Sequence, residues 1–197
     1  FNVLTAYCEL GSGRDVMNAL RAPLPECAAR HVTGDLLRAL SFLHARGVVH
    51  RDVQPANVLL DGAGAAKLTG FACCARAAPG SAPLREAMGP PYHMAPEVAK
   101  QQAYGAKADV WSVGVSLVEL MQGEPPHYDL PPLRAMQVSA DGGQPALRAS
   151  TPHSAELAAF LQCCVVRQPA QRYDTLQLLQ HAFLTAARDD DGAWRKW

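Results

Sequence analysis

The chain lacks an excess of charge of either sign: 18 Lys and Arg balance 18 Asp and Glu, and the basic residues are scattered rather than clustered. That removes the electrostatic footprint expected of a protein bound to nucleic acid or to an anionic membrane, so neither is an expected partner. There is no long hydrophobic run. The best one, Val110 to Met121, falls short of the roughly 20 apolar residues of a membrane-spanning helix and carries Glu119. The six cysteines include two adjacent pairs, Cys73-Cys74 and Cys163-Cys164, and none has the C-x-x-C spacing of a zinc or redox site. These absences predict a soluble, cytoplasmic protein with reduced thiols. Also missing are a starting methionine, a charged-then-apolar signal segment and any G-x-G-x-x-G; Gly11-Ser12-Gly13 reads as a turn. The chain therefore reads as a fragment or a clipped gene product.

What is present suits one compact domain: 197 residues, 49% of them hydrophobic, are enough to bury a core. Phe1 to Tyr7 is strand-like. Apolar residues at helical spacing, Ala28, Val32, Leu36, Leu37, Leu40 and Leu43, predict a long helix stopped by Gly47. Val58 to Leu60 and Ala66 to Thr69 flank the turn Asp61-Gly62-Ala63-Gly64 and read as a hairpin. Ala75 to Pro91 is an aperiodic loop rich in Ala, Pro, Gly and Ser, of a length that is usually functional. Four further helices are predicted over Lys107 to Gln122, Pro132 to Val138, Ser154 to Val165 and Asp174 to Phe183, followed by a polar tail from Ala187 to Trp197. The fold class is mainly α.

Five motifs then fall in one order along the chain. They are His50-Arg51-Asp52-Val53-Gln54-Pro55-Ala56-Asn57, Lys67 to Ala72, Gly89 to Glu97, Asp109 to Val115, and Gln168-Pro169-Ala170-Gln171-Arg172. Together they resemble the catalytic loop, D-F-G segment, activation-loop end, central helix and arginine-bearing turn of a protein kinase. Tyr7 to Ser12, Met94 to Glu97, Gly123 to Pro126, Pro132 to Ala135 and Gln177 to His181 narrow the resemblance to the sterile-twenty-like serine/threonine kinases.

The resemblance implies a kinase C-terminal lobe: helical, with a small β-hairpin near the catalytic loop. The hinge and lobe would occupy residues 1–186 and a C-terminal tail residues 187–197. Of the N-lobe only its last strand, Phe1 to Tyr7, would be present, leading into a hinge around Thr5 to Gly11. ATP and magnesium are the implied cofactors, with Cys8 and Leu59 in the adenine pocket, Asp52 as proton acceptor for the substrate hydroxyl, and Asn57 as a metal ligand.

The departures argue against the chemistry. Gly70 replaces the aspartate that holds magnesium, and a hard cation needs such a carboxylate. Gln54 replaces a lysine with an uncharged amide, and Pro90 replaces a threonine with a residue lacking both hydroxyl and N–H. Losing one preorganised electrostatic contact costs roughly 3–4 kcal/mol of barrier, and several are missing. Asp52 then reads either as a proton acceptor or as an architectural hydrogen-bonding residue. Structural roles are implied for His50 and Phe71 as stacked spine residues, for Arg51, for Asp109 as anchor of the catalytic-loop backbone, and for Glu97 with Arg172 as a buried ion pair; His44 and His93 also read as structural. Glu86, four positions before Pro90, stands where the family places an activating phosphothreonine. It is either a fixed regulatory charge facing Arg51 or a solvated glutamate beside Arg85.

Two functions follow as expectations. One is a pseudokinase lobe that binds a protein partner, another kinase or a scaffold, and controls it allosterically. The alternative is a serine/threonine protein kinase of which this chain is a fragment. A degenerate product without a role is the third reading.

Overall fold

The computed structural model describes residues 5–77 and 82–185. The tail and the first four residues of the expected N-terminal strand lie outside them. Thr5 to Tyr7 carry no strand.

The described chain starts with β1 (Gly11–Ser12) and α1 (Gly13–Leu20). The glycine-serine-glycine run is thus a helix start rather than a loop turn. Ser12 and Asp15 form a reciprocal capping box: the Ser12 hydroxyl accepts from the Asp15 N–H (3.1 Å) and the Ser12 N–H donates to the Asp15 carboxylate (2.8 Å). Next is α2 (Glu26–His44), whose Val32, Leu36, Leu37 and Leu40 are buried as the periodicity predicts, while the expected Ala28 and Leu43 are half-buried and Ala29 is enclosed. Two short sheets follow. In the first, β3 (Val58–Leu60) lies between β1 and β4 (Ala66–Leu68), with Val58 opposite Leu68; this is the expected hairpin. In the second, β2 (Val48–Val49) pairs with β5 (Ala75–Arg76).

After the short α3 (Pro96–Ala99) comes α4 (Lys107–Gln122), the helix around which the core is built. It is buried nearly all round, with Trp111, Val115, Leu117 and Val118 fully enclosed, as befits a helix apolar on every face. Gly114 admits its neighbour: a Cβ there would sit 2.8 Å from both Cys164 Cβ and Val165 Cγ1. Gly123 ends the helix in the left-handed conformation (φ 85°). Then come α5 (Pro132–Asp141), one turn longer than expected, and α6 (Ala155–Cys164), capped by the Ser154 hydroxyl. The single helix expected over Asp174 to Phe183 is two, α7 (Thr175–Leu179) and α8 (Ala182–Thr185). The break falls at Gln180 and His181, where the His181 Nδ1 accepts the Phe183 N–H (3.1 Å) and so takes the place of a preceding carbonyl.

Candidate functional site

The segment between β2 and β3 is held from below by one carboxylate. Asp109, in the first turn of α4 and 1% exposed, accepts the backbone N–H of His50 (2.8 Å) and of Arg51 (2.9 Å), and meets the His44 Nε2 at 2.7 Å. These bonds hold Arg51 in the left-handed region (φ 67°), costly for a residue with a side chain. The His50 ring is buried and uses both nitrogens: Nε2 donates to the Thr69 carbonyl (2.9 Å) and Nδ1 accepts the Asp52 N–H (3.2 Å). Burial pushes its pKa down, which matches the neutral ring that this pairing requires. Phe71 meets that ring edge-on, with centroids 5.3 Å apart, yet is 53% exposed. The expected spine contact exists, but Phe71 is not enclosed, because nothing among the described residues covers its outer face.

Above this platform stand the residues expected to do chemistry. The Asp52 carboxylate is engaged at one oxygen: its Oδ1 accepts a 2.6 Å hydrogen bond from the Gln54 amide. Asn57 spends its amide N–H on the Asp52 carbonyl (2.8 Å), while its backbone carbonyl receives the Thr69 N–H (2.9 Å). Gly70 adopts φ 82°, ψ 37°, and a Cβ placed there would lie 2.5 Å from Asn57 Cγ. The Asn57 amide thus fills the volume into which a side chain at position 70 would grow. The donor set left for a magnesium ion is one neutral amide oxygen and one carboxylate already engaged by an amide. That set does not fit a hard divalent cation, which favours one or two carboxylates. Cys8 and Leu59 lie on neighbouring segments, since Leu10 N–H donates to the Leu60 carbonyl (3.1 Å) and Ser12 stands opposite Leu59.

The activation segment is tied down through Arg51. Its Nε donates to the Cys73 carbonyl, and its Nη1 reaches Glu86 Oε2 at 3.4 Å and the Tyr104 hydroxyl at 3.3 Å. The Tyr104 hydroxyl in turn donates to the Glu86 carbonyl (2.9 Å). Glu86 is therefore paired, but its side chain is 76% exposed and the contact is long, so screening keeps it weak. Gly89 (φ 113°) passes so close to the loop that a Cβ would lie 2.2 Å from the Arg51 carbonyl oxygen. Beyond it, Glu97 and Arg172 form a buried fork, Nη1 to Oε1 at 2.7 Å and Nη2 to Oε2 at 3.0 Å. Arg172 also donates to the carbonyls of Lys107 (2.6 Å) and Val166 (2.8 Å).

A second buried charge cluster was not legible in the sequence. Glu119, 1% exposed, is bonded by Arg14 of α1 and touched by His93 Nε2 at 2.9 Å, joining α1, α4 and the end of the activation segment. The only signal was a carboxylate inside an apolar helix, which demands a partner without naming one.

Comparison with known proteins follows the motifs. Residues 1–184 match the protein kinase domain. The chain is 40% identical over 186 residues to "Serine/threonine-protein kinase PAK 1" of Mus musculus, an alignment covering 94% of this chain and 34% of that protein. It is 35% identical over 185 residues to "Serine/threonine-protein kinase cst-1" of Caenorhabditis briggsae, covering 94% and 37%. To "Serine/threonine-protein kinase STE20" of Candida glabrata it is 36% identical over 191 residues, covering 97% and 21%. The chain spans about a third or less of these relatives.

Proposed function

The chain belongs to the protein kinase domain family, with sterile-twenty-like relatives, and from that premise we propose that it is a catalytically impaired lobe that works by binding a protein, in the manner of a pseudokinase controlling a partner kinase. The observation that carries the reading is the pair Gly70 and Asn57: the magnesium-binding carboxylate is missing and the Asn57 amide stands where it would grow. The Gln54 amide adds to it, since it meets one oxygen of Asp52 at 2.6 Å as an uncharged donor and supplies no positive charge to a transferring phosphate. Protein kinases use ATP and magnesium; in this chain Cys8 and Leu59 would face the adenine, and Asn57 alone would offer a neutral ligand to the metal.

For the binding surface we favour the segment from Pro125 through α5, where Tyr128 (49% exposed) and Leu133 (67% exposed) present apolar groups. Glu86 is assigned the part of a fixed charge that keeps the activation segment on Arg51 without phosphorylation. A cytoplasmic location fits this role, and no helix among the described residues is long and apolar enough to cross a membrane.

The alternative, a serine/threonine kinase represented by one segment, is favoured by the intact platform of Asp109, His50 and Arg51 and by the retained Asp52. Thermal unfolding with ATP, with and without magnesium, separates the two. The proposal expects no magnesium-dependent rise in Tm; a clear rise followed by phosphate transfer to protein would overturn it. In a longer form carrying the rest of the nucleotide cleft, Gly70→Asp with Gln54→Lys is expected to restore magnesium-dependent nucleotide binding if the cation site is the main lesion.

A further inference from the structure

An opening with mostly apolar walls lies away from the phosphate end. It is a cavity of about 290 Å³ between α1, the first half of α2 and the β3–β4 turn, walled by Val16, Leu20, Leu24, Ala28, Val32 and Leu60. Leu59 and Leu60 are consecutive in a strand and point to opposite faces. The cavity is therefore on the other face of the sheet from Leu59 and is not part of the adenine pocket. Leu10 (44% exposed) and Leu20 (40% exposed) stand at its mouth, so its walls remain open to water. Charge lies near it: Glu9 accepts the N–H of the lining residue Gly62 (2.7 Å), and Arg21 is the residue that ends α1, directly after the lining residue Leu20.

We propose that this cavity is the docking site for the chain's own C-terminal segment, with Trp194 or Trp197 as the inserted group. Three observations carry the assignment. The first is where α8 ends: Leu184 Cδ2 lies 3.9 Å from the Cβ position of Gly34, on α2. Gly34 is two residues from the cavity residue Val32, about 200° round the helix, so the segment emerges on the far flank of α2, about one helix diameter (~10 Å) from the cavity. The second is length. Trp194 follows Thr185 by nine positions, a reach of roughly 30 Å when extended, more than enough to round one helix. The third is composition: Asp189-Asp190-Asp191 and Trp194-Arg195-Lys196-Trp197 put an acidic group, two indoles and a basic pair in one short stretch. An indole is the large apolar group such a cavity accepts, the basic pair complements Glu9, and the acidic triplet complements Arg21. The inference does not depend on whether the lobe transfers phosphate.

Tryptophan emission of the full chain tests it. Trp111 is fully buried and gives a constant background, so quenching by acrylamide reports on Trp194 and Trp197. The expected result is blue-shifted emission with severalfold lower quenching than in the denatured chain. Ala19→Arg, an exposed position on α1 at the cavity mouth, should abolish that protection while leaving the helical circular dichroism unchanged. Trp194→Phe and Trp197→Phe singly identify the inserted ring. Tail tryptophans quenched as freely as in the denatured chain would overturn the proposal, as would protection that survives Ala19→Arg. Protection that appears only as protein concentration rises would also overturn it, because it would put the tail in a second copy's cavity.

Discussion

The platform beneath the catalytic loop and the phosphate end above it are a few ångströms apart and have fared differently. Below, Asp109 is engaged by two backbone N–H groups and a histidine, and beyond the activation-segment end Glu97 is engaged by both arms of Arg172. Above, one carboxylate is missing at Gly70 and another is tied to the Gln54 amide. The lower groups act on stability, because each leaves a buried donor or charge stranded if removed. The upper groups act on rate, and their loss leaves the fold intact.

Substitutions sharpen the contrast. The largest effect is expected for Glu97→Ala, which strands the buried Arg172 charge and should cost about 3–5 kcal/mol in urea unfolding. Asp109→Ala leaves the buried His50 N–H without an acceptor, at about 1–3 kcal/mol, and frees the half-buried Arg51 N–H to water; it should also release the loop, read as faster amide exchange at His50 and Arg51. Next is Gly89→Ala, where strain at φ 113° and collision with the Arg51 carbonyl predict a loss of about 1–3 kcal/mol in the same assay. Acid provides a fourth test. Burial lowers the His50 pKa, so the unfolded chain binds the extra proton first, and this contribution to stability is complete above the unfolded value of about 6.5 and lost as pH falls through the depressed folded one. The Tm should therefore drop on acidification, and drop less in His50→Gln. The smallest effect is expected for Glu86→Gln, under about 1 kcal/mol and vanishing at high salt. A large salt-insensitive loss there would break the contrast by showing the activation segment to be part of the platform.

The platform was the more legible half. The motif order placed Asp109, Glu97 and Arg172, and helical periodicity placed α2 and α4, because burial on both leaves a repeating pattern. The departures from the kinase motifs were legible at Gln54, Gly70 and Pro90, but that Gln54 would meet Asp52 and the Asn57 amide would occupy the space beside Gly70 was not, since both depend on rotamers. Helix α1 went unread because Gly11-Ser12-Gly13 suggested a turn, and the Ser12-x-x-Asp15 pair that caps it was not read. The break between α7 and α8 was hidden because a histidine side chain, not a glycine or proline, makes it. Glu119 was seen but not its partners, which lie on elements remote in sequence.

Asp109 also fixes an order of events. The loop it holds is 59 positions earlier in the chain, so during synthesis His50, Arg51 and Asp52 emerge well before the carboxylate that gives them their shape. Until α4 is made and docked, those residues have no reason to adopt the left-handed turn at Arg51. The loop is thus a late product of folding, assembled by a helix rather than by its own sequence, and a chain cut short of Asp109 would carry the motif without its geometry.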